Sequence, residues 1–222
     1  MGIVGYLKCI IDVMKRTGLY SCLFKDMYMV PDKKTSNLEE LLVDEDVKNA
    51  KIIIFDYDGV LAEYHSLPGE KEIKILERLV GDKKVFIISN MSIERYREVS
   101  QILDLRSIAF IIPEKKSKPH PYAYKDILTL AEKEGIKKEE IVFIGDSYYF
   151  DVAGANYLGL KTIKIERKQN QNLNPLLKLI YYIDERLGRI FEKKSLLKKD
   201  LNYCCKGWTS DKYSKAYTNN SC

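Results

Sequence analysis

The stretch Ile52-Ile53-Ile54-Phe55-Asp56-Tyr57-Asp58-Gly59 decides how this chain is read. Four consecutive bulky apolar residues, mostly β-branched and too few for a helix, mark a strand buried on both faces. The run stops abruptly at two aspartates and a glycine, which together form a turn. Four more runs of this kind come later: Val85 to Ile88, Ala109 to Ile112, Ile141 to Ile144 and Thr162 to Ile165. Helical periodicity lies between them, near 70 to 80, 92 to 103, 121 to 134 and 149 to 158. Ser92 stands at a helix start, and Gly135 and Gly159 stand where helices end. Strands alternating with helices predict an α/β, Rossmann-like fold with a parallel sheet flanked by helices.

The residues just past each run carry the chemistry. Phe55 leads to Asp56 and Asp58, Ile88 to Ser89-Asn90, Ile112 to Lys115, Lys116 and Lys118, and Ile144 to Gly145-Asp146-Ser147. The carboxyl ends of parallel strands share one edge, and open α/β sheets bind ligands there. Carboxylates, a hydroxyl and a lysine therefore converge by topology. Oxygen ligands of this kind suit Mg2+. A carboxylate beside the metal can attack phosphorus to give an aspartyl-phosphate, and an aspartate two residues on can serve as general acid and then base. Ser89 would bind a phosphoryl oxygen, and one of the three lysines would place a fixed positive charge at the transition state.

Asp56-Tyr57-Asp58-Gly59-Val60-Leu61, Ser89-Asn90, Lys118-Pro119 and Gly145-Asp146 with Asp151 resemble the four ordered motifs of the haloacid dehalogenase superfamily of Mg2+-dependent phosphatases. The stretch from Gly145 to Leu160, with the apolar and basic segment after it, is similar to the subfamily IIIA branch that includes phosphatidylglycerophosphate phosphatases. The resemblance spans about residues 30 to 195, including the lead-in Val30-Pro31-Asp32. It implies Asp56 as nucleophile, Asp58 as general acid/base, Ser89 as phosphate binder and Lys118 as phosphate clamp. It also implies Asp56, Asp58, Asp146 and Asp151 as the metal-side acids and Mg2+ as cofactor. Taken singly, each motif has a plainer reading: Ser89-Asn90 as a helix cap, Lys118-Pro119 as a surface turn, Asp146 or Asp151 as a cap. Their joint order makes the case.

The spacing leaves no room for a cap domain. About ten residues, Ala62 to Lys71, separate the first motif from its helix, and Met91 to Ser117 hold no more than a helix and a strand. An uncapped site is open to a phosphorylated lipid headgroup, a macromolecule or a small molecule. The termini favour the lipid. Ile3, Val4, Leu7, Ile10, Ile11 and Met14 recur at helical spacing among Lys8, Lys15 and Arg16. Leu177, Ile180, Ile183, Leu187, Ile190 and Phe191 do so among Lys178, Arg186, Arg189, Lys193 and Lys194. The second segment fits equally a helix packed on the sheet. The domains expected are an amphipathic extension over 1–36, a phosphatase domain over 37–199 that includes the basic helix, and a polar, disordered tail over 200–222.

Composition sets the outer bounds. The chain has 222 residues, 45% apolar and 31% charged, which suits a globular protein. No run approaches the ~20 apolar residues that span a bilayer. Only His65 and His120 are present, which excludes a metal centre built mainly from imidazoles. The net charge of +5 is concentrated at the end, where residues 171 to 222 carry 10 basic against 5 acidic residues, a pattern suited to an anionic membrane surface. Five cysteines without a CxxC pair point to a reducing compartment. The expected location is cytoplasmic with peripheral membrane contact, the mitochondrial matrix side being the alternative. No nucleic-acid partner is expected, since no binding module is visible. The competing functions are a soluble metabolite or phosphoprotein phosphatase and, in another class, a non-catalytic phosphate-binding scaffold.

Overall fold

The structure is a computed structural model that describes residues 26–81, 83–101, 108–113, 116–168 and 173–204, with side chains described between 28 and 196. The amphipathic segment expected near residues 3 to 14, and the tail beyond 204, lie outside the described residues.

Six strands form one parallel sheet: β1 (Lys33–Thr35), β2 (Ile52–Phe55), β3 (Lys84–Ile88), β4 (Ile108–Ile111), β5 (Ile141–Gly145) and β6 (Lys161–Ile165). Their order across the sheet is β1-β6-β5-β2-β3-β4. The α/β, Rossmann-like architecture expected from the sequence is the one observed. β2 lies at the centre, with Ile52 to Phe55 paired to Ile141 to Ile144 on one side and to Lys84 to Ile87 on the other. All four β2 side chains are fully buried, each contributing about 1.5–3 kcal/mol relative to exposure. The period of two divides them. Ile53 and Phe55 face a core with Val85, Ile87, Val142 and Ile144, while Ile52 and Ile54 face another with Phe86, Phe143, Tyr124 and Ile127.

Helices cover both faces. On the first lie α2 (Glu45–Asn49), α3 (Glu70–Val80) and α4 (Ile93–Ser100), which contribute Val47, then Ile75, Leu76 and Leu79, then Val99. Asp44 caps α2 by accepting the N–H groups of Asp46 and Val47, and Ser92 caps α4 by accepting that of Arg95. On the second face lies α5 (Lys125–Lys133), preceded by a 3-10 turn at Pro121–Tyr124. The segment read as a helix near 149 to 158 is a π-helical turn at Tyr148–Ala153 continued by α6 (Gly154–Tyr157).

Elements of the structure cross two of the expected boundaries. The extension assigned to 1–36 contains β1, which pairs with β6, and helix α1 (Asp26–Met29). Asp32 and Asn156 fasten this region down. Asp32 accepts the Thr162 N–H at 2.8 Å, and Asn156 Nδ2 donates to the carbonyls of Tyr28 and Val30. The basic helix α7 runs over Pro175–Cys204, past the expected end at 199. It packs on Met29 and Tyr148 through Leu187 and Phe191. Gly188 permits this approach, because a Cβ there would overlap the Tyr148 ring. Among the described residues, Ala62 to Gly69 lead directly into α3, and Met91 to Ser117 hold α4 and β4, as the absence of a cap requires.

Candidate active site

The register of the central strands builds the site. Phe55 pairs with Ile144 and with Ile87, and the Asp56 N–H donates to the Ile144 carbonyl at 2.9 Å. Asp56, Asp146 and Ser89 therefore stand beyond adjacent strand ends on one edge. Asp56, Asp146 and Asp151 each bring a carboxylate oxygen within 4.8 Å of the others. Burial, together with the charges of Asp151 and Asp146, holds the Asp56 carboxyl well above the usual range, and burial likewise raises Asp146. Three carboxylates crowded this closely, two of them buried, fit a hard divalent cation, which would bind through carboxylate oxygen.

Lys118 is the lysine of the site. Its Nζ is 2.8 Å from Asp56 Oδ1 and 2.6 Å from Asp151 Oδ1, and its side chain is only 2% exposed. Despite burial, these two carboxylates hold its pKa above the ordinary value. Lys116 is exposed, and Lys115 lies outside the described residues. Asn90 sets the backbone at Lys118 from both sides: its Oδ1 accepts the Lys118 N–H at 2.9 Å and its Nδ2 donates to the Lys118 carbonyl at 3.0 Å.

Asp56 Oδ1 also accepts the Tyr57 N–H at 2.7 Å, so two donors fix the carboxylate and with it the direction of Oδ2. Asp151 is fully buried and saturated, since its Oδ2 takes the N–H groups of Asp146 and Ser147 at 3.1 and 3.0 Å. Ser89 is buried, and its Oγ accepts the Met91 N–H at 3.2 Å, which leaves the hydroxyl proton to donate.

Asp58 departs from the expected ligand set. Among the described residues the close carboxylate group is Asp56, Asp146 and Asp151, and the Asp58 carboxylate is not in it. It turns instead to the His65 N–H at 3.3 Å. The cause is the turn at Gly59, with φ 86, whose N–H bonds back to the Ala62 carbonyl at 2.7 Å. A Cβ at Gly59 would overlap the Asp146 carboxyl group, so glycine also lets the first and last motifs touch. Burial raises the Asp58 pKa, opposed by His65 and Arg95.

Three residues at the site were missed in the sequence. Arg167, just past β6, donates Nε to Asp146 Oδ2. Its guanidinium carbon lies 3.6 Å from the centroid of the Tyr181 ring on α7. Asp184, also on α7 and buried, accepts the N–H groups of Tyr148 and Tyr149 at 3.0 and 2.8 Å. The strand-end rule that found the other groups applies to Arg167 as well. A cavity of about 310 Å³ lined by Val30, Asp32, Asn156 and Lys161 is at the amino end of β6, away from these groups.

Residues 116–172 match the HAD-hydrolase-like family. This segment includes Lys118, Asp146, Asp151 and Arg167 but not Asp56, Asp58 or Ser89. A stretch of 58 residues is 38% identical to glyceraldehyde 3-phosphate phosphatase of Methanopyrus kandleri, covering 26% of this chain and 24% of that protein. The chain thus spans about a quarter of the length of the curated relative it matches. Among solved structures, the cobalt-bound deoxy-D-mannose-octulosonate 8-phosphate phosphatase of Haemophilus influenzae is 24% identical, with a TM-score of 0.39 over 55% of this chain and 71% of that one. The 3-deoxy-D-manno-octulosonate 8-phosphate phosphatase of Moraxella catarrhalis, in complex with magnesium, phosphate and KDO, is 13% identical, with a TM-score of 0.35 over 70% of this chain and 98% of that one.

Proposed function

We propose that this protein is a divalent-metal-dependent phosphomonoesterase that works through an aspartyl-phosphate on Asp56. The observation that carries the reading is Asp56 itself: a carboxylate at the end of the central strand, oriented by Lys118 and grouped with Asp146 and Asp151. Asp56 Oδ2 attacks phosphorus, and the bond from phosphorus to the leaving alkoxide breaks. Asp58, kept protonated to higher pH by burial, gives its proton to that alkoxide. Water then attacks the phosphoryl group, Asp58 takes the water's proton, and phosphate leaves with Asp56 restored. Ser89 donates to a phosphoryl oxygen, and Lys118 offsets developing charge. A bound Mg2+, held by Asp56 and Asp146 with Asp151 behind them, would neutralise charge on the phosphoryl oxygens.

The substrate we propose is phosphatidylglycerophosphate, converted to phosphatidylglycerol at an anionic membrane surface. Among the described residues no cap covers the site, and α7 offers a suitable face. Leu179, Tyr182, Ile183 and Ile190 are each 46% to 57% exposed, and Lys178, Arg186, Arg189, Lys193 and Lys194 lie among them on the exposed side. Among the described side chains, the acids of this helix are paired or buried. Glu185 pairs with Lys164 and Arg189, Glu192 with Lys34, and Asp184 is buried. No helix among the described residues is long and apolar enough to cross a membrane, so contact would be peripheral.

The likeness to a glyceraldehyde 3-phosphate phosphatase favours a second reading, a soluble metabolite phosphatase. Phosphate release with Mg2+ from phosphatidylglycerophosphate in mixed micelles, set against a panel of soluble phosphomonoesters, separates the two. Turnover of the soluble panel alone would reject the lipid. Asp56→Asn should lower the rate on any substrate by on the order of 10⁴-fold or more. Activity equal to the parent's would sink both readings.

A further inference from the structure

Arg167 is held more firmly than its task as a counterion needs. Its neighbour Lys168 donates the backbone N–H to the Gly59 carbonyl at 2.9 Å and reaches Glu72 with its Nζ at 2.5 Å. The segment after β6 is thereby fastened across the loop that carries Asp56 and Asp58. From that anchor Arg167 donates Nε to Asp146 Oδ2, stacks on the Tyr181 ring and brings Nη2 to 3.8 Å from Asp184 Oδ2. Its side chain is 19% exposed, while those of Asp146 and Asp184 are 5% exposed. Asp184 in turn holds the Tyr148 and Tyr149 N–H groups, at the start of the turn that carries Asp151.

We infer that Arg167, braced by Tyr181 and Asp184 of α7, is a positioning residue that fixes Asp146 for the divalent cation. With Oδ2 committed to a planar, stacked guanidinium, the carboxylate cannot rotate freely, and Oδ1 is its remaining ligand oxygen. The brace makes the C-terminal helix part of the metal site rather than an appendage of the domain. The inference rests on the proposed assignment of Asp56 and Asp146 as cation ligands.

Electrostatics and positioning predict opposite signs. If Arg167 merely repelled the cation, its removal would tighten metal binding. As a brace, its removal loosens it, by the roughly 10–100-fold typical of lost supporting hydrogen bonds around metal ligands. Mn2+ affinity of the full-length protein, measured by the electron paramagnetic resonance of free Mn2+, reads that sign without turnover. Arg167→Gln should bind Mn2+ at least about tenfold more weakly. Arg167→Lys should recover only part, because an ammonium lacks the stacked fork. Tyr181→Leu, which removes the stack and leaves the arginine, should weaken binding in the same direction but less. Affinity unchanged or tighter in Arg167→Gln, with its unfolding midpoint intact, overturns the inference. Should Arg167→Gln not fold, Tyr181→Leu decides: weaker binding supports the brace, and unchanged binding overturns it. If the parent itself binds no Mn2+, the proposed metal dependence fails and this inference with it. A parent that binds Mn2+ confines any failure to Arg167.

Discussion

The two ends of the same sheet carry the same chemical pair in opposite settings. At the amino end of β3, Lys84 Nζ lies 3.2 Å from Glu134, with side chains 46% and 37% exposed. At the carboxyl end of β2, Lys118 Nζ lies 2.8 Å from Asp56 and 2.6 Å from Asp151, with side chains 2%, 14% and 0% exposed. An exposed pair contributes about 0–1 kcal/mol. A buried one must offset the loss of water around each charge, and it does so only while every partner is present. The carboxyl end therefore holds charge that is stable only while all of its partners are in place. Stored, oriented charge on one edge of a parallel sheet is what phosphoryl chemistry uses, and the Lys84 pair at the amino end stays in contact with water.

The sharpest way to break this contrast is Lys118→Met. Removing the ammonium leaves Asp56 and Asp151 facing each other in a buried site, with Asp146 nearby. Loss of one partner from such a group costs about 3–5 kcal/mol, which urea unfolding at pH 7 should register, together with loss of phosphatase activity. The pH dependence carries its own sign. Asp56 is already raised well above its ordinary pKa by burial, and Lys118 opposes that rise. Without Lys118 the folded state binds protons more tightly than the unfolded chain. The variant should then gain stability relative to the parent as pH falls toward the unfolded carboxyl range, and lose it as pH rises. A variant as stable as the parent at pH 7 would erase the distinction between the two ends.

A smaller effect is expected at Asp58, between the buried cluster and the surface. Burial raises its pKa, while His65 and Arg95 hold it down. Arg95→Gln removes one of those positive charges, so Asp58 should keep its proton to higher pH. The alkaline limb of kcat/KM should move upward by less than about one pH unit. A limb that stays in place or moves down would remove Asp58 from the role of general acid.

How much of this could be read from the sequence depends on which forces are local. β2 and β5 were legible because strands buried on both faces are written as unbroken apolar runs. β1 was not, since an edge strand of Lys33, Lys34 and Thr35 pairs with β6 alone and carries no apolar signal. The approach of Asp56 and Asp146 was legible because parallel topology brings strand ends together whatever the side chains do, whereas the choice of Lys118 among three lysines was not. The direction of the Asp58 carboxylate was not, because it is set by the positive φ at Gly59 and a hydrogen bond to His65. Asp184 and Tyr181 reach the site only through the docking of a long helix, which the Gly188 contact with Tyr148 determines in three dimensions. The buried acid in an apolar and basic helix was the one trace that Asp184 left.

The smallest effect belongs to the amino end. Lys84→Gln cuts the ion pair with Glu134 and leaves the strand otherwise intact, since the backbone N–H of Lys84 still donates to the Lys51 carbonyl at 3.0 Å. Glutamine keeps most of the aliphatic stem, both partners remain wet, and neither is left as a buried charge. The expected loss is about 0.5 kcal/mol or less, falling further with added salt, and the rate on any substrate should match the parent's. A loss near that of Lys118→Met would mean that both ends store charge alike, and that burial is not what separates the carboxyl edge from the other.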